Sequence, residues 1–264
     1  MSAATNVARG DGWELRLGDC LRDEWPECDH VVTDPPYSEH VHAHHRTSKV
    51  AAGRSNVAIE FDAFDTISRV FTTIAIARVV SRWVLIFTDA ESVSEWQEAI
   101  DFARIIPSAK NPAKLLSLQA IRVGTWHKPD AGPQFSGDRP GQATESVVIA
   151  HAPGRCRWNG GGLPAFWSYP VREGCKRIHQ TQKPVALLER MLEQFTDAGE
   201  LVLDPFAGSA SSGVAAIRTG RRWIGWERDP EAFEKARRRL EATREQPRLP
   251  FDRALRPTQG ALAL

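Results

Sequence analysis

Val31-Val32-Thr33-Asp34-Pro35-Pro36-Tyr37 reads as a short buried strand broken by two prolines. Val31, Val32 and Thr33 are β-branched and prefer a pleated sheet. Pro35 and Pro36 carry no N–H, and each pushes the residue before it out of the helical region. Asp34 and Pro35 therefore stand on an extended, rigid corner. A carboxylate, a fixed run of carbonyls and the Tyr37 ring come together at the carboxyl end of a strand. In open α/β sheets, ligands bind at that edge. A carboxylate and carbonyls in line can accept both hydrogens of an exocyclic amine, and a ring can stack on a base. An ordinary strand exit with a Pro-Pro turn would use the same residues, so the choice rests on what lies downstream.

A second strand exit follows at Val202-Leu203-Asp204-Pro205-Phe206-Ala207-Gly208-Ser209, where a tight glycine-containing loop opens a helix. Such a turn lets backbone approach a ligand closely, but the glycine triplet of a pyrophosphate cradle is missing. Glu227 ends the next strand, and a carboxylate there can accept from both hydroxyls of a ribose. Together they suit a nucleoside cofactor without phosphates, for which S-adenosylmethionine is the expectation.

Between and around these exits the pattern alternates strand and helix. Strands are expected at 13–17, 30–33, 83–87, 200–204 and 222–226. Helices are expected at 64–80, 92–102, 185–195, 210–219 and 230–240. Residues 120–126 and 146–151 read as strands with no room for a crossover helix between them, hence an antiparallel hairpin with a long Gly/Pro-rich loop. The expected fold is α/β: a Rossmann-like, mostly parallel sheet with helices on both faces and this hairpin at one edge.

At 264 residues, one domain with a sizeable core is expected, and 42% hydrophobic with 25% charged residues is ordinary for a soluble protein. No apolar run approaches the roughly 18 residues that span a bilayer, and the N-terminus lacks a basic-then-apolar pattern, so a cytoplasmic protein is expected. Cys20, Cys28, Cys156 and Cys175 have no C-x-x-C spacing and are read as free thiols. The net charge of +1 says little about partners. Where the charges sit says more.

Residues 38–60 lack apolar periodicity and carry Arg46, Lys49 and Arg54 with His40, His42, His44 and His45. They are read as a mobile, DNA-facing surface loop that contacts phosphate. Without cysteine or carboxylate partners at ligand spacing the histidines make no metal site, and no metal is expected. Residues 152–179 combine Gly160-Gly161-Gly162 with Trp158, Arg155, Arg157, Arg172, Lys176 and Arg177. One reading is an irregular surface excursion; the other is a short target-recognition segment, basic for phosphate and aromatic for stacking. The Pro-rich tail at 245–264 is expected to be poorly ordered.

With Asp34-Pro35-Pro36-Tyr37 first and the glycine loop last, the chain resembles the β-ordered, amino-methylating DNA methyltransferases, with matched motifs from Trp13 to about Leu240. The resemblance implies that Asp34, Pro35, Pro36 and Tyr37 are catalytic. It implies that Asp204, Pro205, Phe206, Gly208, Ser209 and Glu227 hold the cofactor, with His179, Thr181, Gln182, Lys183 and Pro184 at its methionine end. Asp19, after Gly18, matches an acid that reaches toward the target or cofactor adenine. Residues 126–129 with Glu145 match a segment lining the target-base pocket, and 152–179 falls where the family keeps its recognition region. Gln180 stands where the family usually has Pro, and Ala210 where it often has Gly.

In this family Asp at the first motif position is usual for adenine N6 and Ser for cytosine N4. The resemblance therefore implies methyl transfer to adenine N6 in double-stranded DNA, in the setting of restriction-modification, with cytosine N4 as the alternative. A homodimer is compatible with it. Rival readings are RNA adenine methylation, a nicotinamide oxidoreductase, disfavoured by the missing phosphate loop, and a non-catalytic DNA- or cofactor-binding module, disfavoured by intact Asp34, Tyr37, Asp204 and Glu227.

Overall fold

The structure is a computed structural model that describes residues 7–36, 65–108, 111, 113–135, 137–172 and 182–245. The predicted loop at 38–60, Tyr37, Lys176, Arg177, His179, Thr181 and the tail beyond 245 lie outside the described residues.

The strands are β1 (Val7–Gly10), β2 (Trp13–Leu17), β3 (His30–Thr33), β4 (Trp83–Thr88), β5 (Gln119–His127), β6 (Thr144–His151), β7 (Phe166–Ser168), β8 (Leu201–Asp204) and β9 (Arg222–Glu227). The helices are α1 (Thr66–Val79), α2 (Val93–Ala103), α3 (Val185–Phe195), α4 (Ser211–Arg218) and α5 (Pro230–Glu245). The nine strands among the described residues form one sheet in the order β1-β2-β9-β8-β3-β4-β6-β5-β7. The run from β2 through β9, β8 and β3 to β4 is parallel, whereas β6 is antiparallel to β4 and β5.

Every residue of β3 and β4 is buried, because this centre is covered on both faces. Along β4, Leu85 and Phe87 face α3 and α4, packing among Leu188, Met191 and Val214. Val84 and Ile86 face the opposite way, among Ile76 of α1 and Trp96 and Ile100 of α2. Asp65 caps α1 by accepting from the Ser68 N–H at 2.7 Å, and Asp89 accepts from Ser92 N at 2.7 Å at the start of α2.

Two strands were not foreseen. Asp11-Gly12 is a two-residue turn, with Gly12 at φ 77°, that folds β1 back onto β2. Strand β7 pairs in parallel with β5, so the expected β5–β6 hairpin is not the edge of the sheet. Trp167 on β7 is fully buried and donates to Gln194 Oε1 at 2.7 Å, which converts part of the presumed excursion into core.

The chain leaves β3 through α1 toward β4 and leaves β8 through α4 toward β9, in opposite directions from neighbouring strands. The β3–β8 junction is thus a topological switch point, with a crevice at its carboxyl edge.

Candidate active site

The carboxyl ends of the parallel strands deliver Asp19 after β2, Glu227 on β9, Asp204 on β8 and Asp34 after β3 to one edge. Because β6 runs the other way, its first residues reach the same edge, and Glu145 lies opposite Trp126 of β5. The first sequence motif and the glycine loop therefore meet.

Asp204 is the buried centre of this edge. It accepts from Thr33 Oγ1 at 2.8 Å, from the Phe206 N–H at 3.1 Å and from Ser212 Oγ at 2.5 Å. Ser212 Oγ in turn accepts from Trp223 Nε1 at 3.1 Å. Burial pushes the Asp204 carboxyl up from 3.8 to about 6; the three donors pull against that, and the nearby Asp34 charge adds to it.

The loop after Asp204 turns sharply at Gly208, φ 51°, where a Cβ would meet nothing within 4 Å, so its surface lies open. Ala210 adopts φ 55°, ψ 35°, a left-handed conformation that favours glycine over any residue with a Cβ. Arg239 of α5 clasps the loop from behind, donating to the Ser209 carbonyl at 2.8 Å and to Ser211 Oγ at 2.9 Å. No local pattern in the sequence signals this reach from α5 back to the loop.

Glu227 accepts from the Asp229 N–H at 2.8 Å, and its carbonyl accepts from Gly18 N at 2.9 Å, which ties the ends of β9 and β2 together. Burial raises its carboxyl. Asp19 reaches the expected edge, but there its side chain accepts from Leu21 N at 3.0 Å and pairs with Arg22 at 3.3 Å.

Lys183 was expected at the methionine end of the cofactor. Here its Nζ lies 2.6 Å from Asp34 Oδ2 and 3.1 Å from Glu145 Oε2. Glu145 is also bound by Lys128 at 2.5 Å. Burial alone would depress the Lys183 amine, but Asp34 and Glu145 more than offset it and hold the ammonium above the ordinary lysine range.

The predicted recognition segment is divided. Strand β6 ends at the edge opposite Asp34, so Arg155, Arg157 and Trp158 lie there: the Arg157 carbonyl accepts from Trp83 Nε1 at 2.7 Å, its guanidinium is 3.7 Å from Asp197, and Trp158 packs edge-on against Phe195 at 4.7 Å. Antiparallel β6 thus carries these residues to the end of the sheet away from Asp34. Strand β7 brings the chain back, and Arg172 is exposed at the Asp34 edge, with its N–H bound to Asp130 at 3.0 Å. Cys20, Cys28 and Cys156 are free thiols, and Cys175 lies outside the described residues. Among the described residues no group of acids, histidines and cysteines could hold a metal, and no helix is long and apolar enough to cross a membrane.

Comparison with known proteins points the same way. Residues 151–238 match the DNA methylase family model. Over 67 residues the chain is 51% identical to the type II methyltransferase M2.DpnII of Streptococcus pneumoniae, 25% of this chain and 25% of that protein. Over 140 residues it is 30% identical to the type II methyltransferase M2.MboI of Moraxella bovis, 47% of this chain and 50% of that one. The chain thus spans half or less of the length of these relatives. The crystal structure of the M1.HpyAVI–SAM complex shares the fold, with a TM-score of 0.62 at 20% identity over 86% of this chain and 100% of that one.

Proposed function

We infer that this chain, which resembles the amino-methylating DNA methyltransferases in motif, fold and family match, transfers a methyl group from S-adenosylmethionine to the exocyclic N6 of a flipped adenine in DNA. One observation carries the reading: Asp34 and Asp204 end neighbouring strands at the switch point, so an amine-binding corner and a nucleoside-binding loop open on one crevice.

The residues present fit the cofactor. The open turn at Gly208 admits a nucleoside against backbone, Phe206 is half-exposed beside it, and Glu227 offers a carboxylate at the end of the neighbouring strand. Glu227, Asp204 and the 205–209 loop would hold the nucleoside. When bound, S-adenosylmethionine supplies an electrophilic methyl group at this edge.

The protein's own work is to bind and orient the base. The target amine sits in the Watson–Crick edge, stacked inside the duplex, so the base must leave the helix. Asp34 and the Pro35 carbonyl accept the two amine hydrogens, which draws the nitrogen toward sp³ and localises its lone pair. Tyr37 stacks on the base. Positioning and exclusion of water then supply the acceleration, with no enzyme nucleophile. A cytoplasmic location belongs to the same reading.

The test is methyl transfer from labelled S-adenosylmethionine into unmethylated DNA, followed by nucleoside analysis. N6-methyladenine that disappears with Asp34→Ala is the expected result. N4-methylcytosine would move the target to cytosine, and label in neither DNA nor RNA despite cofactor binding would overturn the reading.

A further inference from the structure

The strongest feature that this function does not absorb is the alternating row Asp34–Lys183–Glu145–Lys128, which joins the catalytic corner to the β5–β6 hairpin. Lys183 comes from the residue before the α3 cap and Glu145 from the second position of β6, so separate elements converge on Asp34.

The row poses a conflict. Lys183 donates to Oδ2 of Asp34, so the substrate amine has to share the Asp34 carboxylate with a buried ammonium. It cannot withdraw into water, since its side chain is 8% exposed and its Nζ lies 5.2 Å from the Phe87 ring centroid and 5.9 Å from that of Trp126. A buried charge that loses its partner is strongly destabilising. As the base comes to share Asp34, Glu145, which already touches Lys183, is the carboxylate placed to take up its charge.

Resting on the function proposed above, we propose that Glu145 is a positioning residue for target-base entry, the counter-ion onto which Lys183 shifts when the exocyclic amine occupies Asp34. Glu145 is fixed for this by Lys128, which itself rests 4.9 Å from the Trp126 ring centroid. The elevated ammonium pKa agrees with a cation that stays charged throughout. Glu145 therefore never touches the reacting atoms. It acts through Lys183.

The experiment is a double-mutant cycle on the full chain with Glu145→Gln and Lys183→Met, reading kcat/KM for DNA methylation and, separately, DNA affinity with cofactor bound. In the wild-type background Glu145→Gln leaves Lys183 on Asp34 alone and lowers kcat/KM by roughly tenfold, within the range of coupled neighbours. In the Lys183→Met background there is no ammonium to accommodate, and the same change has little effect. If Lys183→Met is inactive, the cycle is read from DNA affinity. Equal losses in both backgrounds, or none in either, would overturn the proposal. A wild-type protein that methylates no nucleic acid would instead sink the proposed function.

Discussion

Thr33 and Asp204 end two neighbouring parallel strands and are joined by a 2.8 Å hydrogen bond from the threonine hydroxyl to the buried carboxylate. That bond couples the strand leading to Asp34 with the strand opening the glycine loop. Thr33→Val keeps the branched shape but removes the donor. It should cost about 1–3 kcal/mol of stability, the penalty for an acceptor left under-satisfied in the interior. Cofactor affinity should fall with it. Denaturant unfolding and calorimetric titration measure the two effects, and unchanged values in both would mean that the bond is idle.

Asp204 also sets a pH dependence. Its carboxyl is raised from 3.8 to about 6, so the native state holds the proton more tightly than the unfolded chain. The stability this contributes is fully present below an unfolded carboxyl pKa of about 3.9 and is lost as pH rises through the native value. Cofactor affinity should run the other way, because the ionised carboxylate gathers Thr33, Phe206 and Ser212 around the loop. It should weaken as pH falls through about 6. Asp204→Asn should flatten that acid limb; a limb that survives the substitution would assign it to another group, with Glu227 next in line.

Arg239 offers a way to loosen the loop without touching the site. Its donors to the Ser209 carbonyl and Ser211 hydroxyl are charge-assisted. Removing such contacts costs about 1.5–3 kcal/mol each at most. Arg239→Ala should therefore weaken S-adenosylmethionine binding by an order of magnitude or so while leaving DNA affinity without cofactor unchanged. Paired titrations with each ligand would expose a general folding defect as a loss in both.

Ala210 stands in the left-handed region at φ 55° with its methyl fully buried. That conformation costs an L-residue roughly 1–2 kcal/mol. Ala210→Gly relieves the strain, gives up about 0.8 kcal/mol of methyl burial and gains unfolded-chain entropy, so it should be close to neutral. Ala210→Val, branched and larger, should be plainly destabilising. Melting temperatures of the two variants decide this, and a tolerated valine would mean that the loop relaxes.

The parallel core and the Asp34, Asp204 and Glu227 edge were legible because their signals are local: β-branched runs, prolines at the strand exit, and a small-residue loop before a helix. Strand β7 was hidden for a physical reason. Three residues have too little periodicity to announce a strand, and Trp167, whose place is the core, lies in the stretch 152–179 that reads as an excursion or a recognition segment. The Asp11-Gly12 turn did carry a hairpin signal, which the short β1 made easy to pass over. The Lys183–Glu145 contact spans distant elements, and no pattern along the chain reports it.

The same distinction yields a contrast in DNA binding. The loop 128–143 leaves the sheet at the Asp34 edge and carries Phe135, 91% exposed, with Arg139 and the neighbouring Arg172 also exposed there. An exposed aromatic in such a loop can stack on or wedge between bases, and guanidinium groups can meet phosphates. Arg155 and Arg157 sit at the opposite edge. Phe135→Ala and Arg172→Ala should weaken DNA binding, the second also reducing the salt slope of the affinity by about one. Neither should alter thermal stability, since both side chains face solvent. Arg155→Ala and Arg157→Ala should bind like the wild type. Affinity measured across a salt series tests all four, and the reverse ranking would mean that DNA lies across the other edge of the sheet, out of reach of Asp34.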